Sequence, residues 1–257
     1  MRRRDFIKVL AGSAITWPLA ARAQQTDQVR RVGVLMNVAP EHLEGQPFVS
    51  AFRQALQRLG WTEGRNIRID IRWGENDVER DRKYAAELVA LTPDVVLAAG
   101  TLSVTALQRV SRTLPIVFVD VSDPVGAGLV ERMDRPGGST TGFMIFEYSL
   151  SAKWIELLKQ VAPNVGRAAV VRDATNPAGI AQFGAIRTTA SSLGVDVSPI
   201  DTRDAGDIEH AIAELARSPN AGLVVTSSAA VSAHIDQIIT LRGGTSCRQS
   251  TPIVLSL

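Results

Sequence analysis

Residues 115–146 read PIVFVDVSDPVGAGLVERMDRPGGSTTGFMIF, and their organisation decides the fold. The stretch opens on a β-branched run over residues 115–121, which predicts a buried strand. It turns at Ser122, Asp123 and Pro124, crosses a Gly-rich connection and ends on a second apolar run. On each side lies the same kind of unit: a short β-branched run, a turn, then an amphipathic helix. The stretch therefore reads as a pivot between two similar α/β halves.

Upstream of the pivot, Arg31 to Met36 predict a buried first strand. Phe48, Phe52, Leu56 and Leu59 share one face of a helix that stops at Gly60. Ile67, Ile69 and Ile71 alternate with Arg68, Asp70 and Arg72, the pattern of a sheet-edge strand. Tyr84, Leu88 and Leu91 mark the next helix, residues 94–99 a strand buried on both faces, and residues 103–112 another helix. Downstream, the pattern repeats. Helix stripes fall at Trp154, Leu157, Leu158 and Val161, within residues 180–193, at Ile208, Ile212 and Leu215, and at Ile235, Ile238 and Ile239. Strands fall at residues 168–171, 195–200 and 223–225. Alternation of this kind predicts two Rossmann-like lobes with parallel sheets. A chain of 257 residues, 45% hydrophobic and 21% charged, has the length and apolar content for two cores.

Residues 1–23 stand apart. Arg2, Arg3 and Arg4 precede Asp5-Phe6-Ile7-Lys8, a mostly apolar run follows over residues 9–20, and Ala21-Arg22-Ala23 offers a cleavage site before Gln24. The three regions together predict a twin-arginine-like export signal cleaved between Ala23 and Gln24, and hence a periplasmic protein. Five of the 28 basic and one of the 26 acidic residues lie in this leader, so the remainder carries 23 basic and 25 acidic groups. The pI of about 9.0 therefore mostly reports the leader and is no argument for a nucleic-acid partner. A single cysteine, Cys247, excludes an internal disulfide and a cysteine-cluster metal site.

In an open α/β sheet, ligands bind beyond the carboxyl ends of the strands. That rule selects Asn37, then Thr101, Leu102 and Ser103 beside Gly100, then Asp123, Asn176 and Ser227. Small hydroxyl and amide side chains beside exposed helix N–H groups suit a carboxylate on a small ligand, although plain helix capping uses the same residue types. There is no G-x-S-x-G elbow, no G-x-x-x-x-G-K loop and no H-E-x-x-H pair. Gly126-Ala127-Gly128 begins like a dinucleotide fingerprint, but Glu131 stands where the third glycine belongs. His42, His210 and His234 are far apart in the chain. Glu75, Asp77, Glu79 and Asp81 are interspersed with Arg80, Arg82 and Lys83, which predicts a solvated face. No catalytic residue, metal site or cofactor is expected, and binding is favoured over catalysis.

Several stretches carry a family resemblance. Gly60-Trp61-Thr62-Glu63-Gly64-Arg65-Asn66 runs into residues 67–75; Pro115-Ile116-Val117-Phe118-Val119 leads to Ser122-Asp123-Pro124-Val125 and Gly128-Leu129-Val130; Arg135-Pro136-Gly137-Gly138 precedes Thr141-Gly142. Together they resemble the ABC-transporter substrate-binding proteins of type I periplasmic-binding-protein fold, the branch that includes tryptophan-binding proteins. The resemblance runs from residue 1 to about Leu241. It implies a periplasmic, monomeric receptor whose lobes, 24–122 and 123–257, close on a small solute and deliver it to an ABC permease in the inner membrane. The expected ligand is an amino acid or similar carboxylate, held by the loops named above, with Asp123 facing the cleft. A ligand-sensing module and an exported α/β enzyme are the alternatives. Beyond Leu241 the sequence departs from the family pattern, so a frameshift or truncation that removes the return to the first lobe is expected, a naturally short form being the other possibility. Residues 251–255 can still supply a strand.

Overall fold

A computed structural model describes residues 29–244 and 253–255. The leader, its Ala23/Gln24 cleavage site and most of the tail after residue 244 lie outside the described residues. The first half alternates strand and helix: β1 (Arg30–Met36), α1 (Gly45–Arg58), β2 (Ile67–Trp73), α2 (Val78–Ala90), β3 (Val95–Ala99), α3 (Thr101–Val110), β4 (Ile116–Val121) and β5 (Thr140–Met144). The second half continues with α4 (Ser151–Val161), β6 (Arg167–Arg172), α5 (Pro177–Ser192), β7 (Asp196–Asp201), α6 (Ala205–Ala216), β8 (Ala221–Val225), α7 (Ala229–Ala233), α8 (Ile235–Gly244) and β9 (Ile253–Leu255).

Two parallel sheets result, ordered β2-β1-β3-β4-β5 and β7-β6-β8-β9. Alternate residues of each strand feed opposite faces, as a two-residue period requires. In the first sheet Leu35, Val96, Ala98 and Phe118 pack with Leu88 of α2 and Leu107 of α3. Val34, Met36, Leu97 and Val119 pack on the other face with Val49 and Phe52 of α1. The second sheet repeats the arrangement: Ala168, Val170 and Val224 meet α4 and α5, whereas Ala169, Val171 and Leu223 meet α6 and α8. Each lobe is thus a doubly wound, three-layer α/β unit.

The expected boundary at residue 122 falls short of the sheet it should close. Thr140 to Met144 form β5 and pair in parallel with β4, so the first lobe's sheet takes in the second apolar run of the pivot. The reason is non-local: pairing with β4 is decided 20 or more residues away, beyond the reach of a reading by period. Asp81 also departs from the expected solvated face. It is buried on α2 with Ala85 and Leu88, one turn and two turns further on. Its neighbours do face solvent, where Arg80 pairs with Glu75 and Arg82 with Glu79. The strand expected in residues 251–255 forms as β9 beside β8.

Candidate ligand cleft

The sheet orders place the site. β1 and β3 are neighbours whose connections leave in opposite directions, and so are β6 and β8. Such a switch point opens a crevice at the strands' carboxyl ends. In the first lobe it exposes Asn37 after β1, Gly100 and Thr101 after β3, and Asp120 and Ser122 at the end of β4. In the second lobe it exposes Asn176 after β6 and residues 226–228 after β8. The two crevices face each other across a cavity of about 910 Å3. That volume is near the upper end of the range for small-molecule sites.

Of the residues selected from sequence, Asn37, Thr101, Asn176 and Ser227 line this cavity. Leu102, Ser103 and Asp123 are not among its lining residues, because each is engaged elsewhere. Leu102 is buried and Ser103 turns inward, where its hydroxyl donates to Asp81 at 3.3 Å. The Asp123 carboxylate accepts the backbone N–H of Gly126 at 2.7 Å and that of Tyr148 at 3.2 Å. Its own N–H donates to the Phe146 carbonyl at 2.8 Å. Asp123, at φ +42°, thus ties the turn after β4 to the segment at Phe146 and Tyr148 that leads from β5 into the second lobe. Of the three histidines, His42 lines the cavity, and His210 is exposed on α6.

Asp120 was hidden in the apolar run of β4. β4 and β5 pair Phe118 with Gly142 and then Val121 with Met144, so β4 carries one extra residue between the two pairs. The bulge leaves Asp120 at φ +55° and re-aims its side chain into the cleft. There Asn37 donates an amide N–H to it at 2.8 Å. Gly100 sits beside them at φ +81°, and a side chain there would come within 2.8 Å of the Asn37 amide nitrogen. Asp120 is open to solvent in the cleft, yet the protein around it raises its pKa, the Asn37 hydrogen bond pulls it back, and Glu44 pushes it up further.

Helix ends supply the other polar contacts. Asn176 caps α5 by accepting from Ala178 N–H at 3.0 Å, and Ser228 caps α7 through Val231 N–H at 3.2 Å. Gly100 has no side chain to cap α3, so the first N–H groups of that helix open on the cleft at Thr101.

The lobes also touch directly. Asn76, at φ +56° in the turn before α2, donates to the carboxylate of Asp173 after β6 at 2.7 Å. Asp173 is buried and accepts from the Thr175 hydroxyl and N–H as well. Ala229 packs against the first lobe's cluster around Val38 and Met36. A hydrogen bond to a carboxylate contributes about 1.5–3 kcal/mol. Asn76→Ala is therefore expected to open the unliganded lobes, seen as a larger radius of gyration in small-angle X-ray scattering. An unchanged scattering curve would mean that this contact does not hold the lobes together.

Paired doubly wound lobes with a cleft at their switch points define the type I periplasmic-binding-protein fold. The chain belongs to the ABC transporter substrate binding protein family, whose model matches residues 31–244. It is 26% identical over 215 residues to a tyrosine-binding protein of Clostridioides difficile, covering 81% of this chain and 62% of that protein. The chain therefore spans less than two thirds of that relative's length. Among solved structures, an ABC domain in complex with L-Trp from Streptococcus pneumoniae superposes with a TM-score of 0.74 at 21% identity, over 89% of this chain and 74% of that one. A substrate binding protein with adhesive properties from Clostridium difficile, in its ligand-free, open form, gives 0.57 at 26% identity over 88% and 74%.

Proposed function

We propose that this chain is the solute receptor of an ABC import system, exported by its twin-arginine-like leader and working as a periplasmic monomer with an inner-membrane permease. The solute is a small molecule, an amino acid or similar carboxylate, enclosed between the lobes. The observation that carries this reading is the cleft of about 910 Å3 at two facing switch points, spanned by the Asn76–Asp173 hydrogen bond. Asn37, Thr101, Asn176 and Ser227 contact the solute, and the uncapped N-terminus of α3 receives its carboxylate. Ser103 and Asp123 act behind the cleft, one fixing Asp81 and the other the hinge. Closure is a hinge motion about the crossing near Phe146 that follows β5, favoured by a ligand that touches both lobes. The tyrosine-binding and L-Trp-bound relatives support an amino acid as the solute.

A thermal-shift screen of the purified protein against amino acids and small carboxylates tests the assignment. A solute at 100 times its Kd stabilises the native state by about 2.7 kcal/mol, a rise of about 5 °C or more for a chain of this size. Ser227→Trp fills the cleft and should abolish the shift while leaving the unliganded melting temperature close to that of the parent. A shift that survives the tryptophan would place the site elsewhere.

A further inference from the structure

We propose that the cleft selects solutes carrying a cationic nitrogen, anchored on Asp120, and rejects organic anions that lack one. The inference rests on the cleft being the solute site and concerns the charge of what enters it. Among the described residues, four carboxylates line the cavity, those of Glu41, Glu44, Asp120 and Asp236, and no lysine or arginine does. His42 is the one lining imidazole among the described residues. A wall of one sign focuses its field in a cleft with low-dielectric sides and concentrates ligands of the opposite charge.

Asp120 is the member placed to hold the ligand. Elsewhere in the same lobe, partly buried carboxylates meet arginine: Asp70 with Arg31 at 2.7 Å, and Glu87 with Arg72 at 2.8 Å. Asp120 instead meets the neutral amide of Asn37, which uses one oxygen and compensates none of the charge. Its pKa is raised by the protein around it, in contrast to that of Asp70, which Arg31 lowers. A ligand cation at Asp120 would supply the missing countercharge. The chain also holds this side chain in a left-handed conformation at a strand bulge, a placement that costs backbone energy and aims the carboxylate into the cavity. Among the described residues no group of three His, Cys, Asp or Glu side chains is placed to hold a metal ion.

The chemistry expected is a protonated amine, alone or within a zwitterion. In a zwitterion the amine sits on Asp120 and the carboxylate on the open N–H groups at Thr101. A bare carboxylate has the N–H groups at Thr101 but brings no cation to meet the four acids.

Isothermal titration calorimetry on two matched series separates these cases: tyrosine, tyramine and 3-(4-hydroxyphenyl)propanoate, then leucine, isoamylamine and 4-methylpentanoate. In at least one series an amine-bearing member should bind, and the acid without nitrogen should bind at least about 30-fold more weakly, as expected for the loss of a close charge pair. Asp120→Asn should weaken the amine-bearing member by a similar factor, and Asp120→Glu should restore part of it. An acid that binds as tightly as its amine-bearing counterpart, or Asp120→Asn binding like the parent, overturns the proposal. Silence from all six compounds overturns it too. Binding that Ser227→Trp abolishes but Asp120→Asn spares leaves the cleft as the solute site and removes the charge preference. Binding that survives Ser227→Trp removes both.

Discussion

Asp81→Asn is expected to stabilise the protein at pH 8 by about 2 kcal/mol, and to bring no gain at pH 5. Asp81 lies on the inner face of α2, only 1% exposed, and its pKa is raised from 3.8 to about 7. Burial is the main cause, the nearby Asp77 charge adds to it, and the Ser103 hydroxyl opposes both. The Gly74 backbone packs so closely on this carboxylate that any side chain at Gly74 would collide with it. Below pH 4 the folded and unfolded chains both hold the proton, and Asp81 contributes nothing to pH dependence. Between pH 4 and 7 the unfolded chain releases it while the folded chain keeps it, so stability falls as pH rises. Above pH 7 both forms are ionised and the loss is constant. A shift of about three units corresponds to about 4 kcal/mol at 1.36 kcal/mol per unit. Asparagine removes the ionisation and keeps an oxygen for Ser103, but its amide hydrogens need an acceptor, so the net gain is smaller than the full shift. Denaturant melts of both proteins from pH 5 to 8 measure the difference directly. The gain at pH 8 should exceed that at pH 5 by about 2–3 kcal/mol. Parallel stability curves would show that Asp81 titrates alike in the folded and unfolded chains.

Asp81 also shows where sequence reading stops. The strands and helices were legible because β-branched runs and helical stripes are local patterns, punctuated by Gly60, Pro93, Gly100 and Gly194. Asp81 sat among six charged neighbours and read as one of them. The signal that could have separated it is its spacing to Ala85 and Leu88, which puts it on the buried face of α2. The cleft was half legible. Asn37, Thr101, Asn176 and Ser227 follow from the rule that sites lie beyond strand ends, which needs only the strand boundaries. Leu102 and Ser103 were included because a helix start offers several adjacent residues, and only the helix rotation tells which faces the cleft. Asp120 was missed for the opposite reason. A bulge is a mismatch between two paired strands, and β5 had not been recognised as the partner of β4. The Asn76–Asp173 contact joins residues 97 apart and lies on no periodic pattern.

That mismatch makes Phe118 the position where fold and site meet most tightly, and Phe118→Ala should cost about 3–5 kcal/mol of stability. The ring is fully buried, in the cluster with Leu35, Ala98, Leu107 and Val121. Truncating it removes that apolar burial and leaves a cavity that the surrounding sheet and helices fill only in part. Phe118 is also the last residue of β4 in regular register with β5, opposite Gly142. A side chain at Gly142 would strike the Phe118 backbone and ring, so the phenylalanine closes directly over the glycine. Two residues further on, the extra residue of β4 sends Asp120 into the cleft. With the ring gone, the ladder on that side loses the contact that fixes where the slip occurs. Binding of an amine-bearing solute should then fall along with stability. Ile208→Ala supplies the control, since Ile208 is as fully buried but lies in the second lobe, on α6 in the cluster with Leu223 and Val225 of β8. It should cost about 2–5 kcal/mol while leaving affinity, measured well below the unfolding transition, close to that of the parent. Equal losses of affinity in the two variants would mean that binding tracks overall stability. A selective loss in Phe118→Ala would mean that the core residue sets the position of the Asp120 carboxylate.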